Sequence, residues 1–417
     1  MNLPHAVVLL LTLVSVCTAQ VISLPFSPAK GLPWQHKSVG KLLEPSRPIG
    51  ERLQRPIQPL FKPHKRPIQD FRLNATTRDM KLQNYHNKLY YGPISIGTPE
   101  QKLNVAIDTD SPITWVPSIH SPSSSRQTFR LFKGDSGEYN NQSSSTYKAN
   151  GKPFEVTYGA GQVSGYLSQD NMAIAGVTVR NQTFGEAILK PKMFVGSKND
   201  GMFGLGFSGI NAGEELTVLD NMVSQGLLPA PVFSFYFNRY DSRGRDSVLT
   251  LGGTNPDYYT GDFTFANLSM PDRWQFEIDR IQLTNDLGGA SFYKCQAVID
   301  TGSSVIVGPS YQVDVLNKRL GAKPVEGDLK LYTLDRSQLD SLPNLEFVVN
   351  GHKLIMTSKD YAVQFPGQQR DQFYSGIIGK KFKNGETPMW YIGLNFMRTY
   401  YTQFDKGNRR IGFAKAS

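Results

Sequence analysis

The 417-residue sequence has only two cysteines, and one of them, Cys17, lies in an N-terminal segment that reads as removable. Cys295 then stands alone, so a disulfide-stapled scaffold is excluded and the fold must be held by its core. The lone thiol is expected to be buried. No cluster of His, Cys, Asp or Glu has metal-ligand spacing, so no metal and no other cofactor is expected. Charged residues make up 19% of the chain, and no helical periodicity runs far enough for a coiled coil. The only long apolar run is Ala6–Val16, too short to cross a bilayer. Followed by small residues ending at Ala19, it reads as a signal peptide over 1–19. A protein soluble after signal removal is expected, with no membrane span. The N-x-[ST] sequons at Asn74, Asn141, Asn181 and Asn267 agree with a secretory route and are glycosylation candidates.

What the chain has in plenty is glycine (38) and proline (26), with 39% apolar residues. That composition suits many short strands joined by turns. The length suits two lobes. The net charge of +10 is unevenly spread. Segment 20–85 holds twelve Lys/Arg against four acids, a surplus of eight. Arg-Pro-Ile recurs there at 47–49, 55–57 and 66–68, which favours extended, polyproline-like backbone. A nucleic-acid surface needs basic residues interleaved with aromatics on a folded face, and this segment lacks that pattern. It reads instead as a linker or as a basic prosegment lying over an acidic cleft.

An internal duplication carries the chemistry. VAIDTDSPITWVPS (105–118) aligns without a gap on AVIDTGSSVIVGPS (297–310). FGLGF (203–207) and IGLNF (392–396) then follow at nearly equal spacing. Two matched pairs in the same order predict two related lobes about an approximate twofold axis. Such an axis brings Asp108 and Asp300 together, each at the end of an apolar run where a strand turns. Buried carboxylates need donors, and Thr109, Ser111, Thr301 and Ser303 supply them. Strands are expected over Leu89–Ile96, Phe154–Tyr158 and Val248–Leu251, with a hairpin tip at Gly159-Ala160-Gly161. Short helices are expected over 215–225 and 311–320. Gly204 to Gly209 fits G-x-G-x-x-G, but no strand–turn–helix context surrounds it, so it reads as loop packing.

These motifs, with YYGPISIGTPEQ (90–101), YGAGQVSG (158–165), DGMFGLGF (200–207) and YYTQFDKGNRRIGFA (400–414), resemble those of the pepsin and cathepsin D family of aspartic peptidases. The resemblance covers almost all of 85–417. It implies an all-β, bilobal fold with a central cleft, with an N-terminal lobe over 86–265 and a C-terminal lobe over 266–417. Asp108 and Asp300 would be the catalytic pair of an aspartic endopeptidase acting on polypeptides. Tyr158, with Gly159 and Gly161, would form a flap over the cleft, and Trp115 would pack behind it. Ser111 and Ser303 would bond the outer carboxylate oxygens, with Thr109, Thr301 and Gly302 completing the two turns. Segment 20–85 would be an inhibitory prosegment, with Lys81 or Lys88 reaching the pair. A monomer is expected, either secreted or in a lysosome-like acidic compartment.

The sequence departs from the family pattern at Asp110, where the family carries glycine, and at Pro112, Arg273 and Leu394. A third carboxylate about 5–6 Å from the pair would add roughly 3 kcal/mol of repulsion at an effective dielectric of about 20. Asp110 either keeps the pair protonated to higher pH, or is itself protonated or turned away and bonded. The alternative function is a catalytically impaired relative that binds peptides or another partner through the same cleft.

Overall fold

The computed structural model describes residues 76–122, 137–158, 161–191, 194, 197–208, 216–239, 245–284, 289–325, 331–364 and 372–417. The proposed signal peptide, most of the basic segment, Cys17, Asn74 and Gly159 lie outside the described residues. The fold is almost all β, and its two halves repeat one pattern of strand pairing.

In the first half, Gln101–Asp108 runs parallel to Gly201–Gly204, which runs antiparallel to Trp115–Pro117, which runs parallel to Val177–Leu189. In the second half, Ser291–Ile299 runs parallel to Trp390–Ile392, which runs antiparallel to Ile306–Pro309, which runs parallel to Ile377–Lys380. The sequence duplication is therefore a duplication of topology. The repeated glycine explains part of it. A Cβ on Gly204 would lie 2.6 Å from Ser111 O, and one on Gly393 would lie 2.3 Å from Ser303 O. Both glycines let a strand end press against the turn that carries an aspartate.

Strands Tyr259–Asn267, Arg410–Ala416, Tyr400–Asp405, Val232–Tyr236, Ser247–Leu251 and Arg78–Tyr85 continue the first half's sheet in that order. This joins the last strands of the chain to the first strand of the described residues. Arg78–Tyr85, read from sequence as the end of the prosegment, pairs on one side with Ser247–Leu251 and on the other with Leu89–Ile96. The alternating apolar positions predicted for Leu89–Ile96 form a strand with those bounds. Helices occupy Val218–Ser224, capped by the Thr217 hydroxyl, and Ser310–Arg319. Both are slightly offset from the ranges expected.

Each half also keeps a small apolar cluster under its turn. Ala106, Trp115, Phe154, Tyr158, Phe194 and Met202 pack together in one half. Val298, Val305, Val307, Ile378 and Tyr391 pack together in the other. Through the pairings Trp115↔Met202 and Val307↔Tyr391 these clusters occupy equivalent places. Cys295 is buried, as its isolation in sequence suggested. No helix among the described residues is long and apolar enough to cross a membrane.

Candidate functional site

Asp108 ends the strand Gln101–Asp108, and Asp300 directly follows Ser291–Ile299. Both are 1% exposed. The halves meet at the next residue of each. Thr109 N donates to Thr301 Oγ1 (3.1 Å), and Thr301 N donates to Thr109 Oγ1 (3.1 Å). Thr109 Oγ1 donates to Ile299 O (3.0 Å), and Thr301 Oγ1 donates to Ile107 O (2.8 Å). Each threonine thus ties its own turn to the strand that delivers the opposite aspartate. Four buried hydrogen bonds fix the two carboxylates relative to each other.

Each turn folds back on its aspartate. Asp108 Oδ1 accepts from Asp110 N (2.9 Å) and Ser111 N (3.2 Å). Asp300 Oδ1 accepts from Gly302 N (2.8 Å), and Asp300 Oδ2 accepts from Ser303 Oγ (2.8 Å). Ser111 differs from the expectation. Its amide serves Asp108, while its hydroxyl donates to Ile113 O at 3.4 Å. Asp108 Oδ2 is buried and accepts no hydrogen bond among the described residues.

Burial raises the Asp108 carboxyl well above the usual range, and the charges of Asp300 and Asp110 add to it, while its two backbone donors pull the other way. Burial likewise raises Asp300, with Asp110 adding to it; the Ser303 hydroxyl, the Gly302 amide and Arg273 oppose. Both carboxyls are thus held above the ordinary carboxylate range by burial and by the negative charge beside them.

Asp110 is itself bound. Arg273 Nε donates to Asp110 Oδ1 (2.9 Å) and Arg273 Nη2 to Asp110 Oδ2 (2.8 Å). This is a two-pronged ion pair between the halves, with the Asp110 side chain only 6% exposed. Asp110 is therefore bonded, as one of the outcomes read from sequence has it, and its charge still adds to the raising of both carboxyls, as the other has it. Sequence inspection marked both Asp110 and Arg273 as departures but did not join them.

Tyr158 lies fully buried over the first turn. Trp115 Nε1 donates to its hydroxyl at 2.7 Å, and Phe194 packs edge-on against both rings. Burial and the nearby Asp108 raise its phenol. Its strand Lys148–Tyr158 pairs with Gly161–Ile174, bringing Tyr158 opposite Gly161. Gly161 has φ +140°, and a Cβ there would lie 2.6 Å from Pro191 Cβ, so both backbone and space call for glycine.

Lys81 corrects the expectation that it reaches the pair. It is largely exposed and bridges Asp246 at 2.8 Å. Lys88 is buried, its backbone oxygen accepts from Ser304 Oγ (2.9 Å), and burial lowers its ammonium to about 8. Asn181 and Asn267 are exposed; Asn141 is half-buried and its amide donates to Glu186 at 3.4 Å. Glu186, which sequence reading missed, is fully buried and accepts from the Ser118, Tyr166 and Ser168 hydroxyls.

The chain matches the family model described as eukaryotic aspartyl protease over residues 89–416. It is 38% identical to cathepsin D of Chionodraco hamatus over 349 residues, 82% of this chain and 85% of the relative. It is 36% identical to cathepsin D of Gallus gallus over 340 residues (80% and 82%) and 35% identical to that of Homo sapiens over 351 (81% and 82%).

Proposed function

The chain belongs to the eukaryotic aspartyl protease family and is an aspartic endopeptidase, and we propose that it cleaves polypeptides by activating one water between Asp108 and Asp300. The observation that carries the proposal is the pair of buried carboxylates tied together by the Thr109–Thr301 hydrogen bonds. One carboxylate, ionised, takes a proton from the water as its oxygen attacks the scissile carbonyl. The other, protonated, donates to the carbonyl oxygen. The tetrahedral gem-diol then collapses: one of its hydroxyls returns a proton to the carboxylate now ionised, while the carboxyl that took the water's proton gives it to the leaving nitrogen, which restores the shared-proton state. Raised carboxyls hold that proton at mildly acidic pH, where a carboxyl of ordinary pKa would have lost it. Asp108 Oδ2, buried and without a protein donor, is the oxygen we assign to the water. Tyr158 and Trp115 form the wall that excludes solvent over the first turn.

The alternative, a silent peptide-binding relative, rests on the charge of Asp110. The Arg273 ion pair favours the active reading, because it supplies an opposite charge at hydrogen-bond distance. We further propose that the basic N-terminal segment inhibits the precursor and that processing cuts before Arg78. Strand Arg78–Tyr85 pairs through residues 78–82 with Ser247–Leu251 and through residues 83–85 with Leu89–Ile96, so a later cut would open the main sheet. An acidic compartment, secretory or lysosome-like, suits a pair that works while sharing a proton.

The test is cleavage of a quenched apolar peptide by the processed protein from pH 3 to 7. A peptide analogue with a hydroxyl-bearing tetrahedral carbon at the scissile position is added in parallel. Cleavage blocked by the analogue supports the proposal. A folded, processed protein that cleaves nothing favours the binding reading.

A further inference from the structure

Asp110 and Gly302 occupy equivalent places in the two turns. Their amides make the same bond, Asp110 N to Asp108 Oδ1 at 2.9 Å and Gly302 N to Asp300 Oδ1 at 2.8 Å. The first turn therefore keeps the backbone geometry of the second and adds a carboxylate. Arg273 meets that carboxylate with a two-pronged pair from the other half of the molecule. Its position is set by its neighbour. Trp274 is 1% exposed, and its indole Nε1 donates to Leu205 O at 2.9 Å. Leu205 N in turn donates to Asp108 O (2.8 Å), and Gly206 N to Ser111 O (2.9 Å). Arg273 thus adjoins a tryptophan bonded to Leu205, whose segment braces the Asp108 turn. Its guanidinium also lies 5.7 Å from the Tyr391 ring centroid. Tyr391 belongs to the strand paired with the one that leads to Asp300.

We propose that Arg273 is a positioning residue for peptide hydrolysis: it orients the Asp110 turn that holds Asp108 and offsets part of the charge of a third carboxylate beside the reacting pair. This rests on the assignment of Asp108 and Asp300 as that pair. The two departures from the family pattern are then one compensated change. A rigid Arg fork suits the role because it fixes both carboxylate oxygens at once, which a lysine cannot do. The charged and titratable groups facing the pair are Asp110 and Arg273, Tyr158 on the Asp108 side, and Tyr391 on the Asp300 side. Lys380 Nζ lies 5.0 Å from the Tyr391 ring centroid. Tyr158 and Tyr391 are raised by burial and stay neutral, so Asp110 and Arg273 are the nearest opposed charges.

The test uses the two ends of the ion pair. Activity of the processed protein follows a bell: the acid limb is protonation of the needed carboxylate, the alkaline limb loss of the shared proton. Arg273→Gln leaves the Asp110 charge uncompensated, so the bell moves up by about one pH unit. Asp110→Asn leaves Arg273 uncompensated, so the bell moves down by about as much. The double variant Asp110→Asn/Arg273→Gln returns close to the wild-type profile. Arg273→Lys keeps the charge and loses the fork, so kcat falls while the profile stays in place. Single-variant shifts of the same sign, or none in variants that still cleave, overturn the inference. If Arg273→Gln does not fold, Asp110→Asn and the double variant decide it, and an Asp110→Asn profile equal to wild type overturns it. A wild type that does not cleave at all refutes the underlying assignment instead.

Discussion

Thr301→Val tests how the two halves hold their aspartates. Valine has nearly the shape of threonine, so the packing stays and the hydroxyl goes. Two of the four bonds across the interface are lost: Thr109 N no longer has its acceptor, and Ile107 O loses its donor. Thr109 is fully buried, so its amide is left unsatisfied, at about 1–3 kcal/mol. With the weaker loss at Ile107 O, the total is about 2–4 kcal/mol. At about 2 °C per kcal/mol for a body of this size, the melting temperature should fall by about 4–8 °C. The same bonds set the spacing of the carboxylates, and a displacement of about 1 Å can lower turnover by about 10²-fold. Thr301→Ser keeps the hydroxyl and should stay close to wild type in both. Scanning fluorimetry and peptide cleavage read the two effects. A valine variant melting within about 1 °C of wild type, with kcat intact, would refute the reasoning.

Other outcomes follow from the same geometry. Both carboxyls of the pair are raised above their unfolded values, so their contribution to stability is present at low pH and is lost as pH rises through the folded titration. Asp300→Asn removes that penalty, so it should melt above wild type at pH 8 with the gap closing by pH 4; a gap constant with pH contradicts the shift. Tyr158→Phe strands the buried Trp115 N–H and should lower kcat/KM by about 10-fold, or about 1.4 kcal/mol; an unchanged value argues against the Trp115–Tyr158 bond. Burial pushes the Cys295 thiol up to about 11, so iodoacetamide at pH 8 should label it only after unfolding. Rapid labelling of the folded protein contradicts its burial.

Local and repeated features were readable from sequence. The alternation in Leu89–Ile96 and the duplicated Ile-Asp-Thr strings act over a few residues, and the duplication extended them to the pairing of whole halves. What escaped depends on partners far apart in the chain. Lys81 turns to Asp246 across neighbouring strands. Glu186 is buried where two hydroxyls from the neighbouring strand Gly161–Ile174 and the Ser118 hydroxyl converge on it. The Ser111 hydroxyl bonds Ile113 O, a rotamer choice that the string Asp-Thr-Asp-Ser does not fix. Asp110 and Arg273 are 163 residues apart, and each alone looked like a defect. Only the folded chain makes them complementary.

The most direct test of the account is the turnover of processed Asp108→Asn, Asp300→Asn and the double variant on one peptide, at the wild-type optimum. Two carboxylates acting as one unit predict that each single change lowers kcat by at least about 10³-fold and that the double change is scarcely worse. A folded single variant keeping more than about a tenth of wild-type turnover would contradict the shared-water mechanism and move the chemistry elsewhere in the chain.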